Sequence, residues 1–137
     1  MSHFKAFDIA GSAMSAQNQR LNLVASNMAN VDTISSSIEQ TYRSRQPVFQ
    51  AILNRFDPDQ PATGVRTLGV IESQAPLRKE YQPDHPLADE QGYIHKPNVN
   101  MVEEMANMIS ASRSYQSNVE VMNSAKRMAV STINIGK

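Results

Sequence analysis

Cysteine and tryptophan are both missing from this chain. Without cysteine there is no disulfide, no thiolate chemistry and no cysteine-ligated zinc site. Net charge is missing too, since 13 Lys and Arg balance 13 Asp and Glu. The balance holds locally: residues 1–34 carry Lys5 and Arg20 against Asp8 and Asp32. There is therefore no basic stripe for nucleic acid and no polybasic patch for a membrane surface. No apolar run approaches the ~18 residues expected of a membrane span. The opening MSHFKAFDIAGSAMSAQNQR lacks a continuous apolar signal-peptide core. The expectation is a cytosolic protein, or one exported by a route that cleaves no peptide.

Catalytic motifs are missing as well. The five glycines (Gly11, Gly64, Gly69, Gly92, Gly136) are scattered, so neither a phosphate-binding loop nor a dinucleotide fingerprint exists. The serines form no GxSxG elbow. Of the three histidines, His85 stands near Asp84, Asp89 and Glu90, where a metal site or an acid–base pair is conceivable. No HExxH or EF-hand spacing supports a metal there, and a solvated loop histidine is the plainer reading. We expect no enzyme activity, no cofactor, no metal and no small-molecule ligand.

Proline is absent from both ends and concentrated in the middle. All seven prolines (Pro47, Pro58, Pro61, Pro76, Pro83, Pro86, Pro97) fall within residues 34–97. Proline breaks helix interiors, so long helices are confined to residues 1–33 and 98–137. The expected fold is mainly α with a small β-containing middle. Long N- and C-terminal helices would pack as a coiled-coil-like hairpin, with a strand and loop insertion between them.

Both ends repeat every seven residues. Phe7, Met14, Leu21 and Met28 form one row, and Ala10, Gln17, Val24 and Val31 a second, three residues on. Met101, Met108, Tyr115, Met122 and Ala129 repeat the pattern, with Met105, Ser112, Val119, Lys126 and Ile133 as partner row. This is coiled-coil spacing. About 30 helical residues reach roughly 45 Å, long for a helix in a small compact globule. Pro97-Asn98 sets the expected start of the second helix, Glu103 and Glu104 suit its first turn, and Gly136 offers a stop. Ser12, Gln17, Ser112 and Lys126 interrupt the seams, and alanines abound. Such helices bury too little as a pair and call for helices from other chains.

The middle reads as strands and turns. Gln46 to Leu53 and Val65 to Ile71 are strand candidates, separated by Asp57-Pro58, Gln60-Pro61 and Thr63-Gly64. YQPDHPLADEQGYIHKPN reads as an extended loop with one turn at Glu90 to Gly92.

LVASNMANVDT, at Leu23 to Thr33, resembles the N-terminal signature of the bacterial flagellar axial family of rod, hook and hook-associated proteins. HPLADEQGY, KPNVNMVEEMANMISASRSYQSNVEVMNSAK, FDIAGSAMSAQNQRLNLVASNMAN and VIESQAPL extend the likeness to proximal-rod subunits over nearly the whole chain. The resemblance implies a structural rod subunit in the axle that crosses the periplasm and transmits torque. Its partners would be further copies of itself, other rod subunits and, during secretion, the flagellar export apparatus. It implies export unfolded, without a cleaved signal peptide. It also implies termini that become helical on assembly into a tube around the export channel. Assembly residues carried over are Leu21, Val24, Ala25, Asn27, Met28, Asn30 and Thr33 at one end, and Met101, Met105, Met108, Arg113, Tyr115, Val119 and Met122 at the other. Many axial relatives follow the asparagines with a Thr-Pro-Gly-Tyr turn, whereas this chain runs VDTISSSIEQTY. We expect Asn30 in a left-handed helix cap and Asn27 bonded across a subunit contact. The alternative reading is a soluble coiled-coil adaptor or regulator forming a small homo-oligomer. A hydrolase built on His85 is a distant third.

Overall fold

The computed structural model describes residues 2–53 and 64–135. Helix α1 spans Ser2–Ala29 and helix α2 spans Met101–Ile135. Between them lie β1 (Arg45–Ile52), β2 (Gly64–Glu72), β3 (Arg78–Tyr81) and β4 (Tyr93–Lys96). The two terminal helices and the strand-containing middle agree with the proline map. β1 and β2 fall within a residue of the two strand candidates and pair with each other. The expected Gly136 stop lies outside the described residues, as do the Asp57-Pro58, Gln60-Pro61 and Thr63 turn signals.

Two expectations change. The segment read as an extended loop supplies β4, which pairs antiparallel with β3 from Arg78↔Lys96 to Tyr81↔Tyr93. A four-residue strand such as YIHK is too short for its alternation to stand out among prolines. The start of α2 also lies later than Pro97-Asn98. Asn100 caps it, its Oδ1 accepting the Val102 and Glu103 N–H groups at 3.0 and 3.4 Å.

The chain forms two compact units, and each takes part of both helices. The first comprises Met1–Leu21, Pro47–Gly69 and Ile109–Lys137. Its buried side chains include Ala10 and Ala16 of α1 and Ala111 and Ala125 of α2. A Cβ on Gly11 would stand 3.8 Å from Met122 Cε, so α1 and α2 approach each other there, with the Met122 side chain over Gly11. Gly64 opens β2 against α1, where a Cβ would lie 2.7 Å from Ser12 Oγ. That hydroxyl is held in place, donating to Ile9 O at 2.9 Å and accepting Val65 N–H at 3.1 Å.

The second unit comprises Asn22–Gln46 and Val70–Met108. Val24, Val31, Ile94 and Val99 are its buried apolar residues. Ser35 extends the β3–β4 pair as a one-residue bridge, exchanging two 3.0 Å backbone bonds with His95. The hairpin turns at Gly92, whose φ of 81° suits glycine. Tyr81 and Tyr93 meet edge to face at 5.1 Å, and Lys79 Nζ sits 4.1 Å from the Tyr93 ring centre.

The heptad rows of α1 are all half-buried or buried among the described positions. On α2 the row Met105, Ser112, Val119, Lys126 and Ile133 is mixed within the chain: Ser112 and Val119 are half-buried, Lys126 is exposed, Met105 is 50% exposed and Ile133 65% exposed. The row that turns inward is Glu104, Ala111, Asn118 and Ala125, one residue earlier. It alternates with Met108, Tyr115, Met122 and Ala129 at the same 3,4 spacing. Two alanines and two polar residues gave that row no hydrophobic signal.

Candidate assembly site

The site starts where α1 ends. Asn30 N–H bonds back to Ser26 O and Asn27 O, and its side-chain Nδ2 donates to Ser26 O at 2.8 Å. Thr33 then turns on Asn30, with N–H and Oγ1 both bonded to its carbonyl. No non-glycine residue among those described has positive φ, so Asn30 does not take the left-handed cap. A second, side-chain bond to the Ser26 carbonyl stands in its place, without αL geometry.

Asn27 is 1% exposed, and its bonds run to residues of its own chain. Oδ1 accepts Tyr42 O–H at 2.8 Å and Arg45 N–H at 2.9 Å. Nδ2 donates to Arg45 O at 2.9 Å and to Ser44 Oγ at 3.3 Å. An amide offers two donors and two lone pairs, and all four are used. The Tyr42 ring also stacks under the Arg45 guanidinium at 5.3 Å.

Asn98, three residues before α2, holds the neighbouring residue. Its Oδ1 accepts Ser44 N–H at 2.8 Å, and its Nδ2 donates to Ser73 O and Ala75 O at 3.2 and 2.9 Å. Arg43 reaches the same two carbonyls. Arg78 donates to Val31 O and Pro97 O at 3.0 and 3.1 Å. Sequence reasoning missed Tyr42, Arg43, Ser44, Arg45, Arg78 and Asn98. Each bonds to a residue at least 15 positions away along the chain, and such bonds leave no periodicity.

Of the N-terminal assembly group, Val24 and Asn27 are buried, Leu21, Met28 and Asn30 half-buried, and Ala25 and Thr33 exposed. Of the C-terminal group, Met101, Met105 and Arg113 are exposed, while Met108, Tyr115, Val119 and Met122 are half-buried. Large apolar side chains stand in solvent along α2. Val102 (76% exposed) and Met105 belong to the second unit. Ile109, Val121, Met128, Val130 and Ile133 belong to the first. Val121 and Met128, seven apart, and Val130 lie on different sides of the helix at about 100° per residue.

The electrostatics are those of a turn rather than a reaction centre. The Tyr93 N–H is the main group holding the Asp89 carboxyl below its usual range, helped by the Gln91 N–H. Asp89 Oδ2 also faces His95 Nε2 at 3.6 Å. Glu80 is lowered too, chiefly by its hydrogen bond to Lys96. His85 Nδ1 accepts the Leu87 N–H at 3.0 Å, closing a local turn. Among the described residues no group of three or more His, Asp or Glu could hold a metal, and no helix is long and apolar enough to cross a membrane.

Two long terminal helices carrying exposed apolar side chains, with a small β-containing stretch between them in the chain, are features of a self-assembling structural subunit, and comparison with known proteins gives the class. Residues 7–34 match the family described as flagella basal body rod protein. Residues 90–135 match the flagellar basal body rod FlgEFG protein C-terminal family. The chain is 50% identical to the flagellar basal-body rod protein FlgC of Yersinia enterocolitica and 49% identical to that of Salmonella typhimurium, with all of both chains covered. It is 36% identical to that of Borreliella burgdorferi over 98% of each chain. The chain belongs to the FlgC family of flagellar basal-body rod proteins.

Proposed function

We propose that this chain is a structural subunit of the proximal rod, joined to other copies and other rod subunits through its terminal helices. The observation that carries this reading is the set of exposed apolar residues on α2, on faces that α1 does not cover. Burying such side chains is worth about 25 cal/mol per Å² of apolar surface removed from water. A helix that leaves them in solvent therefore gains most from neighbouring subunits. In the assembled rod the two helices pack with coiled-coil-like spacing into the wall of a tube around the export channel. The rod crosses the periplasm and transmits torque. Arg113, exposed on α2, reaches a carboxylate of a neighbouring subunit. The two assembly groups act differently: Met101, Met105 and Arg113 touch neighbours directly, while Val24 and Asn27 shape the surface from beneath. The subunit reaches the rod through the flagellar export apparatus without a cleaved signal peptide, and its role is mechanical rather than catalytic.

Deletion of the gene tests this. The deletion strain should be non-motile, and basal bodies isolated from it should lack a complete rod. Re-expression of the chain should restore both. A deletion strain that swims normally, with the chain found in cell extract as a discrete dimer or tetramer, would favour the adaptor reading instead.

A further inference from the structure

Tyr81 and Tyr93 stand opposite each other at the loop end of the β3–β4 hairpin. The Tyr93 N–H donates to Asp89 Oδ1 at 2.9 Å, and its carbonyl accepts the Asp89 N–H at 2.8 Å. The ladder bond falls instead on the next pair, where Gln82 N–H donates to Gly92 O at 2.9 Å. Tyr81 and Tyr93 are therefore a non-hydrogen-bonded pair, the kind that brings facing side chains closest in an antiparallel ladder. Their rings meet, with centres 5.1 Å apart and planes at 63°. Gly92 leaves room for this, since a Cβ there would stand 2.9 Å from Tyr81 Cε2. Tyr81 is 62% exposed and Tyr93 half-buried, so a reagent in solvent reaches the pair.

We propose that Tyr81 and Tyr93 form an oxidative cross-linking site, which a peroxidase-type one-electron oxidant working with hydrogen peroxide joins as dityrosine. Composition directs oxidation there. Tryptophan and cysteine, the side chains that compete best with tyrosine for a one-electron oxidant, are absent. Methionine takes up an oxygen atom and forms no carbon–carbon link. The other two tyrosines, Tyr42 and Tyr115, are half-buried, and among the described residues no other two tyrosine rings are in contact. In the reaction each phenol gives up one electron and its hydroxyl proton, which leaves a phenoxyl radical. The two radicals couple through ring carbons ortho to oxygen, and one carbon–carbon bond forms. Each of those carbons then passes its hydrogen to its own oxygen, which restores both rings and both hydroxyls. One hydrogen peroxide takes up the two electrons and two protons and becomes two waters. The chain loses two hydrogen atoms and gains a staple between β3 and β4, beside the contacts that Glu80 makes with Lys96 and Asp89 with Tyr93.

The cross-link does not depend on the rod reading. Treating the purified full-length chain, kept dilute, with a plant peroxidase and hydrogen peroxide tests it. The monomer should acquire dityrosine fluorescence. Mass spectrometry should find a chain lighter by two hydrogens, with the peptides carrying Tyr81 and Tyr93 joined. Tyr81→Phe and Tyr93→Phe should each abolish this intrachain product, while Tyr115→Phe should leave its yield unchanged. Phenylalanine keeps the ring and removes only the phenol, so loss of the product in these variants reports chemistry rather than folding. Circular dichroism of each variant, matching that of the wild type, checks this. An oxidised chain with no dityrosine overturns the proposal. So do cross-links formed only between chains, an intrachain product through Tyr42 or Tyr115, or a yield that Tyr93→Phe does not change.

Discussion

The side-chain amide of Asn27 pairs with the backbone of Arg45 as a neighbouring strand would, accepting its N–H and donating to its carbonyl, both at 2.9 Å. Arg45 is the first residue of β1. A helix side chain therefore closes the strand's open start, and the end of α1 and the start of β1 share one hydrogen-bonded ring.

Asn27→Leu should destabilise the monomer far more than Asn30→Leu. The first removes four bonds, to the Arg45 N–H and carbonyl and to the Tyr42 and Ser44 hydroxyls, each worth about 0.5–1.5 kcal/mol. The second loses one bond to a helix-end carbonyl, about 1 kcal/mol. Urea unfolding of the two variants should show midpoints well separated in that order. Asn30→Leu should leave export intact and impair rod assembly, read from secreted protein and isolated basal bodies.

Gly11 and Gly64 should respond oppositely to alanine. At Gly64 the new Cβ meets the fixed Ser12 hydroxyl, and overpacking costs typically about 1–3 kcal/mol. Removing the hydroxyl with Ser12→Ala should recover part of that loss in the double variant. At Gly11 the new Cβ makes an ordinary contact with Met122, and alanine is the better helix former by about 1 kcal/mol. Thermal unfolding of the four variants measures this, with Gly11→Ala expected at or above wild type.

Acid should loosen the β3–β4 hairpin. Asp89 and Glu80 both titrate below their ordinary values in the folded chain, held by the Tyr93 N–H and by Lys96 respectively. A depressed carboxylate stabilises the fold above its unfolded pKa and loses that contribution as pH falls through the folded one. These two contributions should therefore be fully present above the usual carboxylate range and be lost below it. Tyr93 ring resonances report the change, and Asp89→Asn should flatten the acid limb.

Charge placed on the outer faces of α2 should break assembly and spare the chain. Val121→Asp and Met128→Asp replace residues that are about half exposed. Monomer unfolding should shift by no more than about 0.5 kcal/mol, as for ordinary surface substitutions. Swimming in a complemented deletion strain should be lost.

The helices and β1–β2 were legible because proline exclusion and periodicity are written locally. The seven-residue rows of α1 read correctly for the same reason, since Phe7, Met14, Leu21 and Met28 are apolar and regularly spaced. The inward row of α2 was hidden because Glu104, Ala111, Asn118 and Ala125 carry no hydrophobic signature. Met105 and Ile133 are apolar without being buried in their own chain. β4 was hidden among prolines and turn residues. Asn27 was legible as special, but its partners were not, because Tyr42, Ser44 and Arg45 lie 15 to 18 residues away. The left-handed cap at Asn30 failed because the asparagine side chain bonds Ser26 O directly, which makes a positive φ unnecessary.

Methionine oxidation gives the most direct test of the central claim that neighbouring subunits bury the open faces of α2. Met105 and Met128 are half exposed in the chain by itself. Hydroxyl-radical footprinting of the purified monomer and of isolated basal bodies compares the two states residue by residue. The account predicts rapid oxidation of both methionines in the monomer and at least about tenfold protection in the basal body. Equal oxidation in the two states would contradict it.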